Sequence, residues 1–307
     1  MRILVAGATG VIGKPLVGAL RARGHEVSAL VRPESRERAP EVDGTVYADA
    51  LDREALLSAV SAVRPEVVVH QMTALRLLGE DPVAAFGLTA RLRTEGTANL
   101  MEAAREAGAG RLVAQSVAFA AAPAEDPVLD EDAPLYVDAP DPGWAATVRA
   151  VAELERLVLD GGPLAGAVLR YGTLYGPGTL YARDGGAAQA VRAGQFPLPG
   201  DGAGITSFLH VEDAVGATVA AVESEATGVF HVTDDDPAAA AQWLPHYAQA
   251  LGGPAPRTVP ADLAPRLLGW FPAHQLTAAH GAANDRARTA LGWKPLRPSW
   301  REGLGQE

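Results

Sequence analysis

The run Gly7-Ala-Thr-Gly10-Val-Ile-Gly13 follows directly on the apolar stretch Ile3-Leu-Val-Ala6 and opens onto a helical pattern. Strand, glycine turn and helix in that order make the chain begin as a βα unit whose turn lies at the carboxyl edge of a sheet. Gly7 permits the tight turn, Gly10 lets backbone approach a pyrophosphate, and Gly13 lets the helix pack closely on the strand. Amide groups at the helix start then face the phosphates. Three glycines alone recur in ordinary turns; the strand before and the helix after make these a dinucleotide cradle. Its candidate contacts are Gly7, Thr9, Gly10, Val11, Ile12 and Gly13.

The first half continues in the same rhythm. Apolar strands are predicted at Ile3 to Ala6, Val27 to Val31, Thr45 to Ala48, Val67 to His70, Leu112 to Gln115 and Ala167 to Arg170. Helices fit between them at Val11 to Arg23, Arg53 to Val63, Val83 to Ala107 and Ala145 to Leu159, each closed by glycine or proline. Strands alternating with helices in this way predict a Rossmann-type, doubly wound parallel α/β sheet. After residue 170 glycine and proline punctuate more often, as in Tyr175-Gly-Pro-Gly178, and the alternation is lost. That change divides the chain into a cofactor domain over 1–170 and a smaller substrate-binding lobe over 171–307, with 205–232 returning to the sheet. Strands are expected at Ser207 to Val211 and Gly228 to Val232, and helices at Asp213 to Glu223, Ala238 to Leu251, Ala261 to Trp270 and Asn284 to Leu291. Asp234-Asp-Asp236, just before Pro237, reads as a solvated loop.

Composition excludes several classes. The formal net charge of -11 and the absence of a long basic run argue against a nucleic-acid partner. No cysteine is present, which removes disulfides, thiolate metal sites and a cysteine nucleophile. The histidines show no metal-ligand spacing, so no metal is expected. No apolar stretch approaches the ~20 residues of a membrane span, and the chain starts on a strand the fold needs, so a cytoplasmic protein is expected.

Cofactor choice is read at the end of the second strand, where an acid would bind the ribose hydroxyls of NAD and a cation would accept a 2′-phosphate. Leu30-Val-Arg-Pro-Glu-Ser-Arg36 places Arg32 and Arg36 there and no acid at the strand terminus, which favours NADP over NAD. Asp49 and Ala50 follow the third strand, where a carboxylate can accept from the adenine amino group. Asp52 reads as the cap of the next helix.

Taken together these segments resemble the extended short-chain dehydrogenase/reductase superfamily, the group of NAD-dependent epimerases, dehydratases and related reductases. The resemblance adds Val69-His-Gln-Met-Thr-Ala74, Glu95-Gly-Thr-Ala-Asn-Leu100, Arg111-Leu-Val-Ala-Gln-Ser116, Leu169-Arg-Tyr-Gly-Thr-Leu-Tyr-Gly-Pro-Gly178 and Ser207-Phe-Leu-His-Val-Glu-Asp213, and it spans almost the whole chain. It implies that Gln71, Met72, Thr73 and Tyr171 border the cofactor, and that the two long helices of the first domain pack into a homodimer. It also implies a serine with a Tyr-x-x-x-Lys helix, in which the phenol exchanges a proton while hydride moves. Ser116 matches the serine. Ala145 stands at the tyrosine position and Arg149 at the lysine position, so the usual proton donor is missing. Tyr171, Tyr136 and Tyr175 are the nearby alternatives, and an ordered water is another.

A second departure concerns substrate. Thr206 occupies the position where nucleotide-sugar enzymes carry an arginine for the substrate pyrophosphate. The loops offer aromatic residues instead, Trp270 and Phe271 among them, which suits an apolar or aromatic small molecule. The sequence therefore reads as an NADP(H)-dependent oxidoreductase acting on a carbonyl or secondary alcohol, with Ser116, Tyr171 and Arg149 as candidate catalytic residues. Two alternatives stay open: a non-redox lyase, cyclase or cofactor-sensing protein, and a nucleotide-sugar epimerase or dehydratase.

Overall fold

A computed structural model describes residues Met1–Gln306. Seven strands form the central sheet: β1 (Arg2–Ala6), β2 (Glu26–Val31), β3 (Gly44–Tyr47), β4 (Val67–His70), β5 (Arg111–Val117), β6 (Ala165–Tyr171) and β7 (Gly228–Val232). Their order across the sheet is β7-β6-β5-β4-β1-β2-β3. From β3 to β5 the pairings are parallel, with Ile3 between Val27 and Val67 and Ala6 between Leu30 and His70. Parallel strands covered on both faces need side chains that tolerate full burial in either direction. Ile3, Leu4, Val5, Val68 and Val69 have none of their surface exposed. Each such side chain contributes roughly 1.5–3 kcal/mol relative to exposure. The order reverses between β1 and β4, so the crevice that binds ligands in sheets of this kind opens past Ala6 and His70.

The helices begin and end for local reasons. Asp52 caps α2 (Arg53–Val63) by accepting from the Ala55 amide at 3.1 Å, the role its sequence position suggests. Helix α1 (Gly13–Ala22) has no acidic residue in its first turn, which leaves its positive end open to an anion. The long helix expected over Val83 to Ala107 is in fact α3 (Pro82–Arg91) and α4 (Thr97–Glu106) joined by a π turn at Leu92–Gly96. The Thr97 hydroxyl satisfies the loosened ladder by donating to the Leu92 carbonyl at 3.2 Å. Helix α5 (Pro142–Leu159) starts at Asp141, whose Oδ1 accepts from the Trp144 amide at 2.7 Å.

The chain divides into two compact units, one comprising 1–116, 146–169 and 215–230, the other 117–145, 170–214 and 231–307. The core of the first unit packs α2, α4 and α5 residues such as Leu56, Leu100 and Leu154 against Leu4, Val68 and Leu112. On α5, Val148, Val151, Leu154 and Val158 are all at most 1% exposed. The broad apolar face of this helix is therefore used inside the chain.

The second unit is built around aromatic side chains. After α6 (Gly186–Arg192) and α7 (Val211–Glu223), Trp243 and Tyr247 of α8 (Ala240–Ala250) pack with Tyr175, Phe208 and Trp300, the rings of Phe208 and Trp243 meeting edge to face at 5.4 Å. Phe208–His210 lies parallel to Thr173–Tyr175. The single helix expected over Ala261 to Trp270 is broken at Gly269, whose φ of 87° closes α9 (Ala264–Leu268) before α10 (Trp270–Thr277) begins.

The three aspartates at 234–236 do not form a solvated loop. Asp234 is 2% exposed, and its two oxygens accept from the Trp300 and Asp236 amides at 2.8 and 3.3 Å. Asp236 binds the Ser299 hydroxyl and Arg301, while Asp235 binds Asn284 and Arg288. The carboxylates are consumed in holding the carboxyl-terminal segment. Among the described residues no helix is long and apolar enough to cross a membrane.

Candidate functional site

The glycine turn has the geometry of a cradle. Gly7 adopts φ 91°, and a Cβ there would lie 2.5 Å from the Gln71 carbonyl carbon and oxygen. A Cβ at Gly13 would lie 2.1 Å from the Gly7 carbonyl, and one at Gly10 3.2 Å from the same oxygen. Only glycine therefore lets β1, the turn and the segment after β4 come so close. Gly10 and Val11 are exposed at the mouth of the turn, beside the unopposed amino end of α1. Gln71 donates its amide to the Ala6 carbonyl at 2.8 Å, which aligns Gln71, Met72 and Thr73 with the turn. Asp49 Oδ1 accepts from the Leu51 amide at 2.9 Å, and the Ala50 carbonyl accepts from Asn99 at 2.9 Å. These residues fit a dinucleotide: the glycines leave room for it and the helix end offers donors to its phosphates.

Beyond β2 the positive charge is larger than Arg32 and Arg36 supply. Arg32 pairs with Glu34 at 2.9 Å, and the Arg36 guanidinium lies 4.3 Å above the Tyr47 ring. Arg38 joins them, donating to the Ser35 hydroxyl at 2.7 Å. Arg76, in the turn after β4, is held below the ordinary arginine range first by burial, then by the neighbouring guanidiniums of Arg38 and Arg32. The repulsion that Arg38 and Arg32 exert on Arg76 is relieved by an added anion. Arg38 and Arg76 were missed in the sequence because only the fold brings residues 32–38 and 76 together.

Beneath the carboxyl edge of the sheet lies a buried polar cluster. Ser116 is 2% exposed, and its hydroxyl donates to Glu155 Oε1 at 2.7 Å. Glu155 is itself buried on α5, and it offsets part of the burial that lowers Arg93, on the π turn, to about 10. His70 accepts the Met72 amide at Nδ1 (3.2 Å), which leaves its Nε2 proton for the Thr97 hydroxyl at 3.0 Å. Burial drives His70 down to about 4, with Arg93 adding to the effect, so the ring is neutral. The serine expected to hold a substrate oxygen thus has its proton engaged by a carboxylate in the interior. Glu155 was visible as a signal: it falls on the buried stripe Val148, Val151, Val158, where an acid needs a partner.

The remaining candidates are spread out. Ala145 is 3% exposed, its amide donates to the Asp141 carbonyl at 2.9 Å, and its side chain carries no proton to give. Arg149 is exposed on the same helix. Tyr171 and Tyr175 are 2% and 1% exposed, and the Tyr175 ring meets His210 and Phe208 edge-on. Tyr136 packs against Trp270 and His274. Thr206 is buried and, with Phe119, Thr173, Ser207 and Gln275, lines a pocket in the second unit.

Comparison with known proteins places this arrangement. The model of the NAD dependent epimerase/dehydratase family matches residues 3–232. The chain belongs to that family. It is 79% identical over 307 residues, the whole of both chains, to a Streptomyces protein named 3-diazoavenalumate denitrifying reductase. Among solved structures it is similar to the Thermus thermophilus UDP-glucose 4-epimerase complex with NAD (26% identity, TM-score 0.72, 100% and 97% of the two chains). It is also similar in fold to the human epimerase family protein SDR39U1 with NADPH (22% identity, TM-score 0.74, 100% and 98%). Both nicotinamide cofactors therefore occur on this fold.

Proposed function

We propose that this protein is an NADPH-dependent reductase that replaces a diazo group with hydrogen and releases dinitrogen. The observation that carries the reading is Ala145, a buried methyl group at the position of the family's proton donor, in a chain that keeps the whole cofactor cradle. Reduction of a carbonyl leaves an alkoxide that must take a proton. Reduction of a diazonium ion does not: R–N2⁺ with hydride gives R–H and N2. The C–H bond forms as the C–N bond breaks, and the bonding pair departs with dinitrogen. Loss of the phenol is costly for the first reaction and neutral for the second. The name of the Streptomyces relative, a diazo carboxylate reductase that denitrifies, agrees with this balance.

The nicotinamide, when bound, supplies the hydride. The chain's part is to hold and orient. Gly7, Thr9, Gly10, Val11, Ile12 and Gly13 seat the pyrophosphate at the start of α1, and Asp49 and Ala50 flank the adenine side. Arg32, Arg36 and the adjoining Arg38 and Arg76 select NADP over NAD by gripping a 2′-phosphate. Gln71, Met72, Thr73 and Tyr171 border the nicotinamide half. Ser116 acts as a positioning residue through Glu155, and Arg149 offers an exposed cation to the substrate carboxylate. A cytoplasmic homodimer through the helices over 83–107 and 145–159 completes the reading, and the mass from light scattering at micromolar concentration checks it.

The test is a diazo acid labelled with heavy nitrogen, incubated with the protein and NADPH deuterated at the transferring carbon. Labelled N2 in the gas phase and deuterium at the carbon that bore the diazo group are expected. NADPH consumption without N2, or faster turnover of a ketone than of the diazo acid, would overturn the proposal.

A further inference from the structure

Arg93 lies on the inward stripe of the α3–α4 pair, four residues from Thr89 and four from Thr97. Both threonines are fully engaged with the segment that follows β4. The Thr89 hydroxyl accepts the Ala74 amide at 3.0 Å, and the Thr97 hydroxyl meets His70 Nε2 at 3.0 Å. These bonds fasten the π turn to the carboxyl end of β4, the edge at which the strand order reverses. Arg93 is held between them at 7% exposure, close enough for its charge to act on His70 and to feel Glu155. It differs from its neighbours in one respect. Among the described residues no acceptor bonds to the Arg93 guanidinium and no carboxylate forms an ion pair with it. The other two buried arginines do have acceptors: Arg111 donates to the Ala221 and Ala226 carbonyls and Arg170 to the Glu131 carbonyl.

We propose that Arg93 is an anion-binding residue, whose guanidinium receives the carboxylate of the small molecule on which the protein acts. The inference rests on the reductase reading only for the identity of that molecule. A guanidinium stays charged at neutral pH and carries five N–H donors in one plane. Buried without an acceptor it is a costly group, and a carboxylate is the partner that satisfies two donors and the charge together. Its removal from water is already complete in the folded chain, so an arriving anion meets a donor fork held in place by its flanking threonines. Glu155 does not fill this role, because its Oε1 is taken by the Ser116 hydroxyl and it acts on Arg93 through its charge alone. Arg149, by contrast, is exposed on α5, where water competes for the same donors and an ion pair gains less. For a diazo acid the buried cation attracts the carboxylate and repels the diazonium end. Arg93 then sets which end of the substrate lies against the π turn.

The test is calorimetric titration of sodium benzoate and of benzamide into the full chain saturated with NADP⁺. The two probes share size and planarity and differ in charge. Benzoate is expected to bind ~10-fold more tightly or better, the value of a charge-assisted contact. Arg93→Gln and Arg93→Lys are expected to lose most of that preference while NADP⁺ affinity stays at the parent value. The lysine variant keeps the charge near Glu155 and lacks only the planar fork, so it reads the contact even if the glutamine variant folds poorly. Arg91→Gln, which removes an exposed guanidinium of the same helix, is expected to keep the preference. In the diazo acid assay benzoate is expected to raise KM and leave kcat unchanged. Equal affinity for the two probes, no benzoate binding by the parent, a preference that survives Arg93→Lys or is lost in Arg91→Gln, or inhibition of kcat alone, as by a carboxylate bound apart from the substrate, would each overturn the proposal. Failure of the reductase reading shows instead as a diazo acid that releases no N2, and leaves the calorimetric comparison intact.

Discussion

Asp234 accepts the Trp300 amide at 2.8 Å, tying the residue two places past the end of β7 to the last helical turn of the chain. Burial pushes the Asp234 carboxyl up to about 8, with the charges of Asp236 and Asp235 adding to the rise and the two amides opposing it. In the folded protein this group holds a proton that the unfolded chain releases near the ordinary value of 3.8. Stability from this site is therefore full below about 4 and is lost as pH rises towards about 8. The melting temperature is expected to fall across that window. Asp234→Asn, which cannot ionise, is expected to flatten the fall at the cost of one amide contact, and thermal melts over a pH series check it.

His70 gives the opposite slope. Its pKa lies near 4 in the fold against the ordinary histidine value of 6.5, because burial penalises the imidazolium and both ring nitrogens are engaged, one by the Met72 amide and one by Thr97. A depressed folded pKa means that the unfolded chain binds the proton first, so stability is lost as pH falls from about 6.5 to about 4. Denaturant midpoints measured at neutral pH and near pH 4.5 are expected to separate. His70→Gln, which retains a donor and an acceptor, is expected to narrow that separation.

Ser116 donates to a carboxylate that also faces the buried Arg93, so its removal is felt in the fold before it is felt in the chemistry. Ser116→Ala is expected to cost roughly 1–3 kcal/mol of stability, the penalty for leaving a buried charged acceptor short of a partner. Turnover per folded molecule is expected to change less than ~10-fold, or about 1.4 kcal/mol in the barrier. Glu155→Ala removes both the acceptor of Ser116 and the charge that offsets the burial of Arg93, and is expected to cost more than Ser116→Ala. Urea denaturation paired with initial rates on the diazo acid separates the two effects.

The sheet was legible in the sequence because parallel strands buried on both faces show as uninterrupted Val, Ile, Leu and Ala, and the glycine turn because close backbone approach leaves no room for a Cβ. Gly228–Val232 stands where the apolar run places it. The π turn was hidden, since nothing in Leu92 to Gly96 marks an extra residue per turn, and the Thr97 bonds to His70 and to the Leu92 carbonyl appear only in the fold. The aspartate run misled for a related reason. Acidity in sequence suggests solvent, and only the fold brings the amide of Trp300 to Asp234. Arg76 was likewise unreadable as a site residue, because Arg38 and Arg32, whose charges act on it, lie 38 and 44 positions away.

The guanidinium group around Arg76 makes cofactor preference separable from catalysis. Arg76→Ala and Arg32→Ala are each expected to weaken NADPH binding by roughly 10- to 100-fold, the value of one charge-assisted contact to a phosphate. NADH binding is expected to move little, since it lacks the 2′-phosphate. Fluorescence titration of the reduced cofactors measures both, and equal losses for NADPH and NADH would instead indicate a damaged cradle.

Returning a phenol to position 145 discriminates between the chemistries. Ala145 is 3% exposed and sits beside the Trp144–Phe271 stack, so Ala145→Tyr forces a larger ring into packed surroundings, at a cost of roughly 1–3 kcal/mol in stability. If the reaction needed a proton from this place, the variant would gain turnover despite that cost, because general acid catalysis is worth ~100-fold or more. Hydride replacement of a diazonium group needs none, so the variant is expected to reduce the diazo acid no faster than the parent. Steady-state rates of both proteins, normalised to the folded fraction, decide it: a kcat above the parent's restores the proton donor to the mechanism, and a kcat at or below it leaves hydride delivery and loss of N2 as the whole of the chemistry.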